Sequence, residues 1–164
     1  MRSLGILALA LLFVALPAAA QTAYDWSSAG ACAVMPYASG SAVSGPSLTL
    51  ASSFRGTFTS RFPVTNTYGS ATSDTPPWTN LSISYTDDSS SGSVTANLYE
   101  VDKCTNTQTL ICSVVSSDGS GPACGHCTFG SSTFDFLNNT YYVEVKLNRT
   151  TTAATEQLHS LGIN

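Results

Sequence analysis

Tyr141-Tyr142-Val143-Glu144-Val145-Lys146-Leu147-Asn148 decides the fold class. Tyr141, Val143, Val145 and Leu147 fall on one parity, and Tyr142, Glu144, Lys146 and Asn148 on the other. Side chains of a strand alternate between faces, so this pattern predicts a strand with one buried and one wetted face. The same alternation recurs on both sides of it. Towards the N-terminus, Phe58, Phe62 and Val64 alternate with Thr57, Thr59 and Arg61. Pro63 lies inside that run and has no ladder donor, which predicts an edge strand. Leu81, Ile83 and Tyr85 alternate with Ser82 and Ser84. Val94, Ala96 and Leu98 share a face opposite Tyr99 and Val101, and Leu110 to Val115 is a β-branched apolar run. Phe134 and Phe136 flank Asp135, and His159, Leu161 and Ile163 close the chain.

Turn clusters separate these runs, among them Asp87-Asp88-Ser-Ser-Ser-Gly92, Thr105-Asn106-Thr107 and Asn138-Asn139. No stripe of helical period appears after residue 20, so negligible helix is expected there. The fold expected is all-β, an antiparallel jelly-roll-like β-sandwich of about seven or eight strands. Its domain is expected over residues 47–164, after an irregular segment over residues 21–46 with one short strand at Ala31–Tyr37. Ser116 to Ser132 reads as a long Gly/Ser loop.

The order of a Leu98-Tyr99 strand, a long loop, Phe134-Asp135-Phe136, Asn138-Asn139-Thr140-Tyr141-Tyr142-Val143-Glu144-Val145 and a terminal strand resembles secreted bacterial jelly-roll-like modules of the prepeptidase C-terminal type. The resemblance covers roughly residues 80–164. It implies a β-sandwich with a non-catalytic accessory role and supplies no catalytic residue.

The first twenty residues read as a secretory signal peptide. Arg2 is followed by an apolar run from Leu4 to Leu16, then Pro17 and the small residues Ala18-Ala19-Ala20. The run is shorter than the ~20 residues of a membrane span, and no second one follows, so no transmembrane segment is expected in the mature chain. The expected location is secreted, periplasmic or at the cell surface. Past residue 20 the chain holds 5 Lys+Arg against 10 Asp+Glu, and 45 of its 144 residues are Ser or Thr. That acidic balance offers no footprint for nucleic acid.

The five cysteines are Cys32, Cys104, Cys112, Cys124 and Cys127. In an exported chain they are expected to oxidise. Bridges are expected among Cys104, Cys112, Cys124 and Cys127, with Cys32 left as a free or intermolecular thiol. Cys124-Gly125-His126-Cys127 is also the string that thiol oxidoreductases use, but its Gly/Ser/Pro surroundings lack the helix N-terminus that stabilises a reactive thiolate. Cys112, Cys124, His126 and Cys127 would make a zinc set only with spacings unlike those of ribbons and fingers.

No Gly-x-Ser-x-Gly appears, and His126 and His159 are the sole histidines. Paired-carboxylate chemistry would need Glu100, Asp102, Asp135 or Glu144 to meet across a cleft. Enzyme activity is therefore not expected, and no cofactor is. Calcium is the weak alternative, with Asp87, Asp88 and Asp118 (and Asp74) offering oxygens in turn-rich segments. Trp26, Trp78 and Tyr142 are the aromatic candidates for stacking on a sugar, with Trp78 read chiefly as a core plug.

The leading expectation is an exported non-catalytic binding or accessory module with a glycan or surface-protein partner. The alternatives are a structural subunit of an extracellular assembly and a thiol redox or metal protein centred on Cys124–Cys127.

Overall fold

The computed structural model describes residues 26–29, 41–68 and 75–164. The leader expected over residues 1–20, the strand expected at Ala31–Tyr37, Cys32 and Asp74 lie outside the described residues. Ten strands are described and no helix: β1 (Trp26–Ala29), β2 (Ser41–Ser44), β3 (Ser47–Leu50), β4 (Gly56–Val64), β5 (Asn80–Asp87), β6 (Gly92–Asp102), β7 (Gln108–Val115), β8 (Pro122–Thr128), β9 (Asn139–Arg149) and β10 (Glu156–Ile163). They form two antiparallel sheets. One runs β2-β3-β10-β5-β8, with β1 also paired to β10; the other runs β4-β9-β6-β7.

Strands β3 to β10 give the orders β3-β10-β5-β8 and β4-β9-β6-β7. Every connection except the β6–β7 hairpin crosses between sheets, which is the connectivity of a jelly roll, as expected. Pro63 lies on β4, an edge strand, where its missing N–H breaks no ladder.

The alternation read from the sequence is the burial pattern of the strands. Phe58, Phe62, Val64, Leu81, Ile83, Tyr85, Val94, Ala96, Leu98, Val143, Val145, Leu147, Leu161 and Ile163 all face one core. At one end of that core Trp78 meets Phe134 edge-on at 5.1 Å between centroids, and Phe134 meets Tyr141 at 4.7 Å. The Tyr141 hydroxyl accepts from the Asp135 N–H at 2.7 Å and lies 3.0 Å from Glu100 Oε2.

Three expectations are corrected. First, the loop expected over Ser116–Ser132 contains β8, which pairs along its whole length with β5 from Asn80↔Thr128 to Thr86↔Pro122. Its composition misleads because its inward face must be small. A Cβ on Gly125 would stand 2.7 Å from Val114 Cγ1, inside the contact distance of carbon atoms. Second, the segment 21–46 contributes strands. Trp26–Ala29 pairs with Ile163–Ser160, and Ser41–Ser44 pairs with Leu50–Ser47 across a two-residue turn whose Gly45 has φ +60°. These four-residue pieces are too short and polar to show a period. Third, ten strands lie among the described residues, rather than seven or eight in the whole domain.

Candidate functional site

The cysteine expectation is corrected in part. Cys112 on β7 bonds Cys127 on β8, which joins the adjacent edges of the two sheets. Cys104 and Cys124 are exposed free thiols, so the second bridge expected within the set of four is absent. Cys124-Gly125-His126-Cys127 lies in a strand, where residues three apart point to opposite faces. Cys127 faces the core side and Cys124 faces solvent, so the two sulfurs form neither a dithiol nor half of a zinc set.

Trp26 and Trp78 are 7% and 1% exposed. Neither ring offers a face to a sugar, which corrects Trp26 as a stacking candidate and leaves Trp78 in its chief reading as a core plug. Asp87 is buried, with a carboxylate oxygen accepting from Ser116 Oγ. Asp88 accepts from the Thr155 N–H at 2.7 Å, which holds its carboxyl below the ordinary aspartate value. Asp118 is exposed on the turn whose next residue, Gly119, donates to the Asp87 carbonyl. Asp87, Asp88 and Asp118 do not converge, and among the described residues no group of three or more His, Cys, Asp or Glu is arranged to hold a metal ion.

The carboxylates weighed for catalysis are spent locally. Asp102 accepts from the N–H groups of Cys104 and Thr105, and Asp135 accepts from those of Leu137 and Asn138. These bonds keep both carboxyls below the ordinary aspartate value, through Thr105 first for Asp102 and Asn138 first for Asp135. His159 sits between Ser47 Oγ at 2.7 Å and Thr86 Oγ1 at 2.9 Å, with no acid beside it in those bonds.

Tyr142 is the sequence candidate that the fold brings into company. It lies on the outer face of β9, in register with Pro63 on β4 and Tyr99 on β6. Tyr99 is in turn opposite Leu110 on edge strand β7. The row Pro63–Tyr142–Tyr99–Leu110 thus crosses all four strands, about 14 Å at ordinary strand spacing. The Tyr99 and Tyr142 rings stack at 5.3 Å with 27° between their planes. The Arg61 guanidinium stands 5.0 Å from the centre of the Tyr142 ring.

Beside this aromatic row runs a polar one, Arg61–Glu144–Asn97–Ser113. Glu144 lies between Arg61 at 3.4 Å and Lys146 at 3.2 Å, and Ser113 donates to Asn97 at 2.7 Å. Arg61 and Lys146 leave 60% and 42% of their side chains exposed. The Tyr142 hydroxyl is buried without a hydrogen-bond partner among the described residues. Burial, opposed by Arg61, raises its pKa above the ordinary tyrosine value.

Sequence reasoning missed Tyr99 and Arg61. Tyr99 was visible as the wrong-parity aromatic of its strand, and Arg61 as a charge in alternation. They meet Tyr142 through contacts 43 and 81 residues apart in the chain. On the other sheet the outer face carries a patch of small groups, with His126 in register beside Ser82. Ser27, Ser82, Ser84, Ser160, Gly162 and Cys124 line a groove of about 300 Å³.

The class that fold and surface define is a two-sheet jelly-roll sandwich with an aromatic and charged band on one outer face. No protein-family model matches the chain, and no curated protein matches it.

Proposed function

We propose that the chain is an exported, non-catalytic β-sandwich that binds a polysaccharide across the outer face of its four-stranded sheet. The observation that carries this reading is the stacked Tyr99–Tyr142 pair, flanked by exposed Arg61 and Lys146, beside the polar row of Glu144, Asn97 and Ser113 on the same face. Aromatic rings offer a flat apolar surface at low entropic cost, and neighbouring donors and acceptors fix a hydroxylated ligand's orientation. The row's length suits an extended polymer better than a small molecule. The leader sequence and the resemblance to accessory modules of exported proteins agree with action outside the cytoplasm.

Native affinity electrophoresis with neutral and uronate-bearing soluble polysaccharides tests this. The protein should be retarded by at least one. Tyr142→Ala and Tyr99→Ala should lose that retardation while keeping the wild-type unfolding midpoint to within a few degrees. Wild-type mobility unchanged by every polysaccharide would refute the reading, as would full retardation of both folded variants.

A second reading, a subunit of an extracellular assembly, is favoured by β7. This edge strand exposes 51% of Leu110 and 62% of Val115, and an open edge can accept another chain's strand. Sedimentation velocity at increasing concentration separates the two, since the first gives a constant monomer and the second a growing polymer.

A further inference from the structure

At the end of the sandwich where the β5–β6 connection crosses between the sheets, charge is buried between them. Glu156, the first residue of β10, is fully buried, and Asp87, directly opposite it on β5, is 1% exposed. Directly opposed residues have Cβ atoms about 5 Å apart, so the two carboxyls share one small space. Both Glu156 oxygens and Asp87 Oδ1 lack a hydrogen-bond partner among the described residues, whereas the other Asp87 oxygen accepts from Ser116 Oγ.

Glu156 reaches the facing sheet. A Cβ on Gly92 of β6 would stand 1.7 Å from Glu156 Oε1, so the side chain occupies the space that glycine leaves. Arg149 of β9, paired with Gly92 in register, is 5% exposed and supplies the balancing cation. Its own donors are committed to the carbonyls of Phe54, Ala51 and Ala154. The charged groups acting on Glu156 are Arg149 from β9, Asp87 from β5 and Asp88 from the adjoining turn.

We propose that Asp87, Glu156 and Arg149 form a pH-sensitive clasp between the two sheets, closed while Glu156 holds a proton and loosened when it is lost. With Glu156 neutral, Arg149 and the Asp87 carboxylate balance. With Glu156 ionised, the layer carries an uncompensated negative charge and three orphan acceptors, the arrangement that a low-dielectric interior tolerates least. A proton on Glu156 turns one of those acceptors into a donor. Burial is the leading cause that lifts the Glu156 carboxyl from 4.5 to about 7, against Arg149 and with the help of Asp87 and Asp88.

The folded state therefore holds this proton more tightly than the unfolded chain. The clasp's contribution is whole below about pH 4.5 and is lost as pH rises through about 7. The bonds that would loosen are those tying the β5–β6 connection to its neighbours: Asp88 N–H to Thr155 O at 3.4 Å, Thr150 N–H to Ser91 O at 2.7 Å and Gly119 N–H to Asp87 O at 2.7 Å. They border a shallow pocket lined by Asp88, Ser89, Ser91, Ser120, Thr151 and Ala154.

The test compares wild type with Glu156→Gln, which keeps the shape and removes the titration. Between pH 5 and 8 the wild-type unfolding midpoint should fall by about 5 °C or more, and the variant's fall should be less than half as large. Hydrogen exchange, corrected for its intrinsic pH dependence, should show at least tenfold loss of protection at the amides of Asp88, Thr150 and Gly119 in wild type alone. Parallel pH profiles for the two proteins would overturn the proposal. Carboxyl-carbon NMR on wild type gives a reading independent of any variant: a Glu156 midpoint near 7 supports the clasp, and one near 4.5 overturns it.

Discussion

Gly125→Ala adds one methyl group at the centre of β8, and the structure says where it goes. The new carbon would lie 2.7 Å from Val114 Cγ1, about 0.7 Å inside the 3.4 Å at which ordinary contact begins. Val114 is 5% exposed, and its strand cannot simply back away. The Cys112–Cys127 bond lies two residues from each partner and holds β7 against β8. Overpacking of this kind costs about 1–3 kcal/mol. Replacing a strand glycine returns about 0.5–1 kcal/mol of backbone entropy, so a net loss of about 1–2 kcal/mol is expected.

Val114→Ala alone removes two methyl equivalents from the core, a loss of about 2 kcal/mol. In the double variant the added methyl fills space that Val114 has vacated, so the total loss should undershoot the sum of the single losses by about 1–2 kcal/mol. Urea titration followed by tryptophan fluorescence, Trp26 and Trp78 both being buried in the fold, measures all four proteins. Additivity within about 0.5 kcal/mol would mean the two side chains do not meet, and would refute β8's packing against β7.

Val143 is fully buried, so Val143→Asp should cost about 4 kcal/mol or more, whereas Lys146→Ala on the opposite parity should cost less than about 1 kcal/mol. A larger loss for Lys146→Ala in the same titration would show that β9 faces the other way. Cys112→Ser combined with Cys127→Ser opens a 15-residue link and should cost about 3 kcal/mol; non-reduced peptide mapping should find these two cysteines joined. Asp135→Ala should lower the unfolding midpoint at pH 7, because its carboxylate accepts from Leu137 and Asn138. Those bonds depress the folded carboxyl below the unfolded value, so the difference should be present above pH 4 and shrink on acidification; a constant difference down to pH 2 would contradict it.

The all-β class was legible from the sequence because alternation is a local property. Phe58-Phe62-Val64, Leu81-Ile83-Tyr85 and Tyr141-Val143-Val145-Leu147 each carry their burial pattern in their own residue order. Pro63 likewise announces an edge strand by the donor it lacks.

What tertiary structure alone decided is what depends on a partner. β8 is a strand because β5 pairs with it and Val114 leaves room only for glycine, and Pro-Ala-Cys-Gly-His-Cys-Thr states neither fact. The jelly-roll crossings bring Cys112 to Cys127 and leave Cys104 and Cys124 unpaired. They also place Tyr99 beside Tyr142, Arg61 over that ring, and Asp87 opposite Glu156. Alternation assigns a residue to a face; only strand order and register assign it a neighbour, and both the band and the buried acid layer are properties of neighbours.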